Sequence, residues 1–262
     1  MSDTIVLKIG GSVAGEDAGA LDAIAALNDS GHDLVVVHGG GPLVGEWAEK
    51  LGLTTRFVRG LRVTDEPTRD LALAVLGGLA NGRVVDALIG RGVPAVGLSG
   101  IDGGMLRAVR EDPELGLVGR ITRVDSALLE ELIEAARVPI VAPAALDEGA
   151  QEGATPEVLN VNADSAAGAI AASLGARLLV FVTDVPGVRT RDGKTLGSLD
   201  RERAKALVDD GTIEGGMIPK VEACLVASGA GCRAVIVDAR SADAVERLLT
   251  GERLGTVFEA TA

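Results

Sequence analysis

The sequence predicts an α/β protein in which a mainly parallel sheet is covered by helices on both faces. Short, continuously apolar runs alternate along the chain with longer segments of helical periodicity. Strands that are buried on both faces of a parallel sheet have such unbroken apolar runs. Several runs end in glycine-rich turns, as strand-to-helix connections do. With 262 residues, the chain can bury one large core or two packed lobes.

The first half of the chain contains three predicted strands that alternate with three predicted helices. The strands, each of which ends near a glycine, are "TIVLKIGG", "HDLVVVHGGG" and "PAVGLSG". The helices are "DAGALDAIAALNDSG", "PLVGEWAEKLG" and "EPTRDLALAVLGGLANGRVVDALIGRG". Gly31 is placed to end the first helix, and Pro42 suits the first turn of the second.

The second half begins with a segment of a different kind. The run "GGMLRAVREDPELGLVGRITRVD" alternates apolar and charged residues, which predicts a β-hairpin. Three further strands are predicted: "VPIVAPAA", "RLLVFVTDV" and "RAVIVDA". The predicted helices are "SALLEELIEAAR", the alanine-rich segment after "NVNAD", "DRERAKALVDDG", "PKVEACLVASGAG" and "ADAVERLLTG". We expect a change of lobe near Gly175.

The composition excludes several classes of function. A net charge of −13 and an aromatic content of 2% argue against a nucleic-acid-binding face. No uninterrupted apolar run reaches the ~18 residues of a membrane helix, and "MSDTIVLKIGG" lacks the features of a secretory signal. Cys224 and Cys232 match neither a disulfide framework nor a zinc site, so we expect both to pack in the interior. These features predict a cytoplasmic protein without a metal site of its own and without nucleic-acid or membrane partners.

Glycine-bearing turns at strand ends indicate where a ligand binds. Because the carboxyl ends of parallel strands meet at one edge of a sheet, four turns should gather there: "KIGGS", "HGGGP", "GLSGIDGG" and "VTDVPGV". Exposed backbone N–H groups and helix N-termini at such turns favour anions, phosphates above all. The motif GxxxxGK[ST] is absent, and so is a strand–helix turn with GxGxxG, which argues against the two commonest nucleotide sites.

Two lysines and one aspartate are candidates for the chemistry. Lys8 ends the first predicted strand, and Lys220 lies near a helix N-terminus, where a cation is disfavoured unless an anion offsets it. Two ammonium groups can stabilise the charge on a transferring phosphoryl group. Asp164 precedes an alanine-rich helix, where it is either an ordinary cap or an anionic anchor for both lysines.

Other polar residues are candidates for substrate binding. Arg62, which apolar residues flank, can make a bidentate bond to a carboxylate, and Asn160 is either a hydrogen-bond donor to a substrate or a turn residue. Three nearby arginines are expected on a solvated face: Arg56, Arg59 and Arg69. His38 adjoins the triple glycine but has no second metal ligand nearby, so we expect it to orient the loop.

The motifs together resemble those of the amino-acid kinase family, in order and over nearly the whole chain. The segments that carry the resemblance are "LKIGGS", "VVVHGGGP", "GLRVTD", "GLSGIDGG", "LNVNADSAAGAIA", "VTDVPGV" and "GGMIPKVEA". The resemblance implies a three-layer αβα sandwich with an open, mainly parallel sheet and two lobes. Residues 1–175 would form the amino-acid-binding lobe and residues 176–262 the ATP-binding lobe.

Within the family, the motifs are most similar to those of members that phosphorylate the side-chain carboxylate of N-acetyl-L-glutamate, a step of arginine biosynthesis. By this resemblance, Lys8 and Lys220 stabilise the transferring phosphoryl group, and Asp164 orients both lysines. Arg62 would bind the substrate α-carboxylate, while Asn160 would help to hold the acetylamino acid.

The resemblance also implies how ATP and Mg²⁺ are held. Backbone donors around the phosphates would come from Gly10, Gly11, Gly39 and Gly40. The nucleotide would be gripped by Thr183, Asp184, Gly187 and Met217. In this family Mg²⁺ is held chiefly by the phosphates and water.

Two alternative functions share these motifs. A sister group of enzymes phosphorylates aminoadipate or glutamate attached to a small carrier protein in lysine biosynthesis. Val63, after Arg62, resembles the acetylglutamate-specific members, because carrier-dependent ones have tyrosine there; the cluster of arginines nevertheless suits an acidic carrier. The second alternative is a non-catalytic amino-acid sensor, against which the presence of Lys8, Lys220 and Asp164 argues.

The resemblance has a further implication for assembly. Family members that arginine inhibits have an extra N-terminal helix, which forms hexamers, before the first strand. Here the first predicted strand begins within about five residues of Met1. We therefore expect a homodimer that is insensitive to arginine.

Overall fold

The computed structural model describes residues 3–10, 17–149, 155, 157–238 and 243–260. The strands in chain order are β1 (Ile5–Ile9), β2 (Leu34–His38), β3 (Phe57–Val58), β4 (Leu61–Arg62), β5 (Ala95–Ser99), β6 (Leu106–Arg110), β7 (Val118–Val124), β8 (Val138–Ala142), β9 (Ala144–Asp147), β10 (Val158–Val161), β11 (Leu178–Val182), β12 (Arg233–Val237) and β13 (Thr256–Phe258). The helices are α1 (Ala18–Asp29), α2 (Gly41–Lys50), α3 (Glu66–Leu73), α4 (Asn81–Ile89), α5 (Ala127–Glu134), α6 (Ala163–Ser173), α7 (Arg201–Asp209), α8 (Met217–Gly229) and α9 (Asp243–Leu249).

The central sheet has seven strands in the order β13-β12-β11-β1-β2-β8-β5. All neighbours pair in parallel except β13, which runs antiparallel to β12. Helices α6 and α8 cover one face, while α1, α4 and α9 cover the other, and each face has its own apolar cluster. The predicted αβα sandwich with a mainly parallel sheet is confirmed. Cys224 and Cys232 are buried in the cluster under α6 and α8, as predicted.

Successive side chains of β1 point to opposite faces of the sheet, and this alternation determines where Lys8 points. Ile5, Leu7 and Ile9 belong to the apolar cluster under α1, whereas Val6 belongs to the cluster under α6. Because side chains alternate across a strand, Lys8 shares the face of Val6 and points toward α6. The lysine is therefore directed to the helix that carries Asp164.

Beside the sheet, β6, β7, β9 and β10 form a small closed barrel. The predicted hairpin is confirmed, since β6 and β7 pair antiparallel. The single strand predicted over "VPIVAPAA" is wrong: at Pro143 the chain leaves the central sheet after β8 and enters the barrel as β9. Strands β10 and β13, which have four and three residues, were missed because runs so short carry no clear periodicity.

The long helix predicted after Asp65 is continuous but irregular. A π-helical turn, Ala74–Ala80, joins α3 to α4. The segment Glu66–Ile89 has 24 residues and contains an 18-residue stretch with a mean hydropathy of 1.5, so it is long and apolar enough to cross a membrane by length and composition alone. Val75, Val84 and Leu88 are buried in the fold, which accounts for part of this apolar character.

The central sheet is continuous across the predicted change of lobe near Gly175. Strand β11, which follows Gly175, pairs along its full length with β1. The residues before and after this position therefore share one sheet and one apolar cluster. The division into residues 1–175 and 176–262 stays a prediction.

Candidate active site

A cavity of about 220 Å³ opens where β1 and β2 end. The barrel strand β10 and the β3–β4 hairpin form its other walls. The fold brings together in its lining most of the residues that sequence reasoning assigned to the acceptor and the phosphoryl group: Lys8, Gly39, Gly40, Arg62, Asn160 and Asp164. Apolar walls are supplied by Val44, Phe57, Leu61, Ala72, Leu76, Val118 and Pro143.

At the floor of this cavity, a buried carboxylate lies between two ammonium groups. Lys8 Nζ is 2.7 Å from Asp164 Oδ1, and Lys220 Nζ donates to Asp164 Oδ2 at 2.9 Å. Burial opposes ionisation of Asp164, but the two lysines together hold the pKa of its carboxyl below the usual value. Burial, helped by the charge of Lys220 and opposed by Asp164, lowers the pKa of Lys8. The cluster has one net positive charge when all three groups are ionised.

Local sequence explains why Asp164 is available for this contact. The N-cap of α6 is Asn162, whose Oδ1 accepts from the backbone N–H groups of Asp164 and Ser165. The alternative that Asp164 is the cap is therefore wrong. Asn162 was missed, although asparagine ahead of an alanine-rich helix is a favoured cap.

Lys220 lies in the first turn of α8, as predicted. Its ammonium group donates to the Gly216 carbonyl at 3.4 Å in addition to Asp164. The positive end of the helix dipole disfavours a lysine at this place, and the carboxylate of Asp164 offsets that cost. An anion of higher charge in the cavity would offset it further.

Arg62 presents an unsatisfied donor to the same cavity. Its Nη2 donates to the Gly41 carbonyl at 2.9 Å, and its guanidinium lies 4.7 Å from the centre of the Phe57 ring. Its Nη1 is buried and has no hydrogen-bond partner among the described residues. Partial burial lowers the pKa of the guanidinium. Because an unpaired buried N–H is costly, this donor suits a carboxylate that binds in the cavity.

Asn160 is linked to Arg62 through a residue that sequence reasoning missed. The fully buried Thr64 donates its hydroxyl to the Arg62 carbonyl at 2.8 Å and accepts from Asn160 Nδ2 at 3.2 Å. Thr64 thereby holds the side chain of Asn160 and the backbone of Arg62 in a fixed relation. Nothing in the pattern "GLRVTD" distinguishes this threonine from an ordinary turn residue.

The β3–β4 hairpin covers the cavity from outside. Arg59 contacts Asp112 at 2.5 Å, and Arg56 contacts Glu114 at 3.4 Å, so the hairpin is tied to the connection between β6 and β7. The two arginines are exposed, as predicted for a solvated face. Their ion pairs are too open to solvent to stabilise the fold much.

Internal packing explains why one position of the loop after β2 is a glycine. A Cβ on Gly40 would lie 2.6 Å from Leu76 Cδ2, whereas one on Gly41 would meet nothing within 4 Å. The absence of a side chain at Gly40 therefore has a packing cause, because the helical segment presses on this residue. His38 is fully buried and contacts the Gly39 carbonyl, in agreement with its predicted role in orienting the loop.

The predicted nucleotide residues are only partly brought together. Gly187 and Met217 line a second cavity of about 170 Å³, whereas Thr183 and Asp184 follow β11 and contact each other at 3.3 Å outside its lining. Gly187 also packs closely, since a Cβ there would lie 2.6 Å from Thr256 Oγ1.

Two of the predicted phosphate-binding glycines, Gly10 and Gly11, follow β1 in the sequence. Gly10 comes directly after Ile9, and a Cβ there would be 3.8 Å from the Val182 carbonyl. Gly11 lies outside the described residues. Within the described ranges, no group of three or more histidine, cysteine or acidic residues is arranged to hold a metal ion.

Comparisons with known proteins agree with this fold. The family model described as "Amino acid kinase family" matches residues 3–238, and the chain therefore belongs to the amino acid kinase family. Its curated relatives include proteins named acetylglutamate kinase. The one from Dehalococcoides mccartyi is 42% identical over 97% of this chain and 93% of its own length. The one from Geobacillus kaustophilus is 44% identical over 87% of this chain and 86% of its own length.

Solved structures have the same fold. The N-acetylglutamate synthase from Neisseria gonorrhoeae, complexed with coenzyme A and L-arginine, is 26% identical with a TM-score of 0.80. The match covers 99% of this chain and 62% of that one. A carbamate kinase from Giardia, 16% identical with a TM-score of 0.73 and with 98% and 99% of the two chains covered, shows likeness of fold alone.

Proposed function

We propose that the protein transfers the γ-phosphoryl group of ATP to the side-chain carboxylate of N-acetyl-L-glutamate in arginine biosynthesis. The products are N-acetylglutamyl 5-phosphate and ADP. The observation that carries the proposal is that Asp164, which lines the cavity together with Lys8 and Arg62, pairs with both Lys8 and Lys220. Full-length relatives named acetylglutamate kinase, about 40% identical, support the choice of substrate.

The proposed reaction needs positioning and charge stabilisation rather than a protein nucleophile. An acceptor carboxylate oxygen attacks the γ-phosphorus while the bond to the bridging oxygen of ADP breaks, and ADP keeps that electron pair. The carboxylate is already ionised, so no general base is required. Lys8 and Lys220 stabilise the charge that spreads over the phosphoryl oxygens, and Asp164 holds both ammonium groups in place.

The remaining polar residues would bind the two substrates. Arg62 pairs its free Nη1 with the α-carboxylate of acetylglutamate, and Asn160 contacts the acetylamino group. Backbone amides of Gly39 and Gly40 lie along the path of the phosphoryl group. We assign the nucleotide to Gly10, Gly11, Thr183, Asp184, Gly187 and Met217.

Mg²⁺ would reach the site as the ATP complex. The cavity offers mainly cationic donors, and its one buried carboxylate, Asp164, is already paired with two lysines. This donor set suits a metal that is held by phosphate oxygens and water. When bound, the ion neutralises phosphate charge, while binding and orientation of the acceptor depend on the residues of this chain.

The acceptor is tested by measuring ADP release with N-acetylglutamate, free glutamate and aminoadipate in parallel. We expect turnover with N-acetylglutamate and little with the other two, since only the first offers both the acetylamino group and the right chain length. Absence of turnover with N-acetylglutamate at high enzyme concentration would refute the proposal. Turnover with aminoadipate but not with N-acetylglutamate would favour the lysine-biosynthesis enzyme, and binding without turnover a sensor.

We further propose that the enzyme is a cytoplasmic homodimer. Among the described strands, β5 has a neighbour on one side only, so its other edge is open for pairing. On the adjacent α4, Ile89 is 56% exposed. An open edge strand next to an exposed apolar side chain suits a second copy of the chain, related by a two-fold axis.

A further inference from the structure

A buried polar pair behind the glycine loop has no part in the mechanism above. His38, the last residue of β2, is fully buried, and Asn81, the first residue of α4, is 4% exposed. His38 Nδ1 lies 2.8 Å from the Gly39 carbonyl oxygen, and His38 Nε2 lies 3.1 Å from Asn81 Nδ2. The ring therefore connects the glycine loop with the long helix.

The surroundings of Asn81 determine which ring nitrogen carries the proton. Asn81 Nδ2 is 2.8 Å from the Ile140 carbonyl and 3.2 Å from the Leu98 carbonyl. Only an amide nitrogen can donate to two carbonyls, so this end of the side chain is the NH₂ group. Its two hydrogens are shared among these carbonyls and His38 Nε2, and because an amide nitrogen does not accept, Nε2 must be the unprotonated ring nitrogen. The proton is on Nδ1 and is donated to the Gly39 carbonyl.

Burial keeps the ring in this neutral form. It is the main cause that lowers the pKa of His38, and the nearby charge of Lys8 acts in the same direction. The hydrogen bond to Gly39 acts in the opposite direction but is the smaller effect. At pH 7 the ring is thus a fixed donor on one side and a fixed acceptor on the other.

Fixing the Gly39 carbonyl also fixes the next N–H group. In a trans peptide the C=O and the following N–H point in opposite directions. With the Gly39 carbonyl turned to the buried ring, the Gly40 N–H points away from it, and Gly40 lines the cavity that contains Lys8. Gly40 is the N-cap of α2, where N–H groups have no acceptor within the helix and are suited to bind phosphate.

Two features of the fold serve this arrangement. The π-helical turn Ala74–Ala80 immediately precedes Asn81, and its Leu76 and Ala80 pack against Gly40. On β5, a Cβ at Gly97 would lie 2.1 Å from Asn81 Oδ1, so only glycine leaves room for the asparagine. The same segment therefore presses on the loop and supplies the partner of His38.

We infer that His38, held by Asn81, is a positioning residue that aims the Gly40 N–H at the transferring phosphoryl group. This inference rests on the proposed kinase function. Histidine at this position acts through the loop backbone and exchanges no proton with a substrate. Its effect is expected in the rate of phosphoryl transfer rather than in the affinity for ATP.

Two near-isosteric variants separate the two contacts of the ring. In His38→Asn an amide nitrogen can occupy the place of Nδ1 and still donate to Gly39, whereas the amide of His38→Gln reaches the place of Nε2 and keeps only the contact with Asn81. We expect kcat of His38→Gln to be at least ~10-fold below that of His38→Asn, as for a misaligned oxyanion donor. The KM for ATP should change less than about threefold in both variants. Equal kcat values in the two variants would overturn the inference.

A second measurement needs no variant. The chain has two histidines, so the ring nitrogens of ¹⁵N-histidine-labelled protein give two sets of NMR signals. We expect one ring, that of His38, to be a neutral Nδ1–H tautomer at pH 7. The inference would be contradicted if the His38 ring were charged or were the Nε2–H tautomer. Turnover of acetylglutamate by the unmodified enzyme tests the proposed function separately, so the two failures are distinguishable.

Discussion

At the scale of single residues, the charged side chains that meet in the candidate site were predictable from the sequence, whereas the residues that hold their neighbours in place were not. Lys8 and Lys220 stand out because each is a cation where the local pattern disfavours one. Asn162, Thr64 and Asn81 do not stand out, since asparagine and threonine are common in turns and caps. Their partners are 2 to 96 residues away in sequence, and only the folded chain identifies the distant ones.

Thr64 provides a prediction at this scale. Thr64→Val keeps the shape of the side chain but removes the hydroxyl that joins Asn160 to the Arg62 carbonyl. Loss of one such hydrogen bond corresponds to roughly a 3- to 10-fold change in binding. We expect the KM for N-acetylglutamate to rise by about that factor in steady-state assays, with kcat and the KM for ATP within about twofold.

The control for this prediction is Thr64→Ser, which keeps the hydroxyl and loses a methyl group. It should restore the KM for N-acetylglutamate to near the value of the unmodified enzyme. If valine and serine variants had the same KM, or if the KM for ATP rose equally, Thr64 would have only a structural role.

At the scale of elements, sequence periodicity predicts what is long and buried. The strands of the central sheet are mainly apolar and were recognised, apart from the three-residue β13. The barrel strands β9 and β10 were missed because they are short and because no local signal places them outside the sheet. The π-helical turn was missed for another reason: it changes the register of a helix without altering its apolar composition.

The edge of the central sheet provides a prediction at this scale. If β5 and α4 form the dimer contact, Ile89→Asp would place a charge in an apolar interface. We expect the unmodified protein to have twice the 26.5 kDa of one chain in light scattering, and Ile89→Asp to shift the mass toward 26.5 kDa.

Val226→Asp is the matched control for Ile89→Asp. Val226 is 51% exposed on α8, which packs on the opposite end of the sheet, beside β12 and β13. This variant should retain the mass of the unmodified protein. A monomeric unmodified protein, or a dimer that Ile89→Asp leaves intact, would contradict the proposed contact.

At the scale of the whole molecule, the site exists only because distant segments converge. Lys8, Asp164 and Lys220 come from β1, α6 and α8, and each of these elements packs in the same apolar cluster. The family resemblance anticipated this convergence, whereas composition and periodicity alone indicated an anion-binding α/β protein. The small barrel, which supplies Asn160 and one wall of the cavity, was predicted neither by the resemblance nor by composition and periodicity.

The role proposed for the cluster of Lys8, Asp164 and Lys220 is to stabilise the phosphoryl group during its transfer to acetylglutamate. It is tested by the rate of ADP formation in a single turnover, with enzyme in excess over ATP and with saturating N-acetylglutamate, for Lys220→Ala and for Lys205→Ala. Lys205 is the control because it is an exposed lysine on α7, where it pairs with Asp209 at 2.6 Å.

We expect Lys220→Ala to slow phosphoryl transfer by several orders of magnitude, about 10³-fold or more, because it removes charge stabilisation that operates in the transition state. Lys205→Ala should react at the rate of the unmodified enzyme. A Lys220→Ala rate within about threefold of that enzyme would contradict the account.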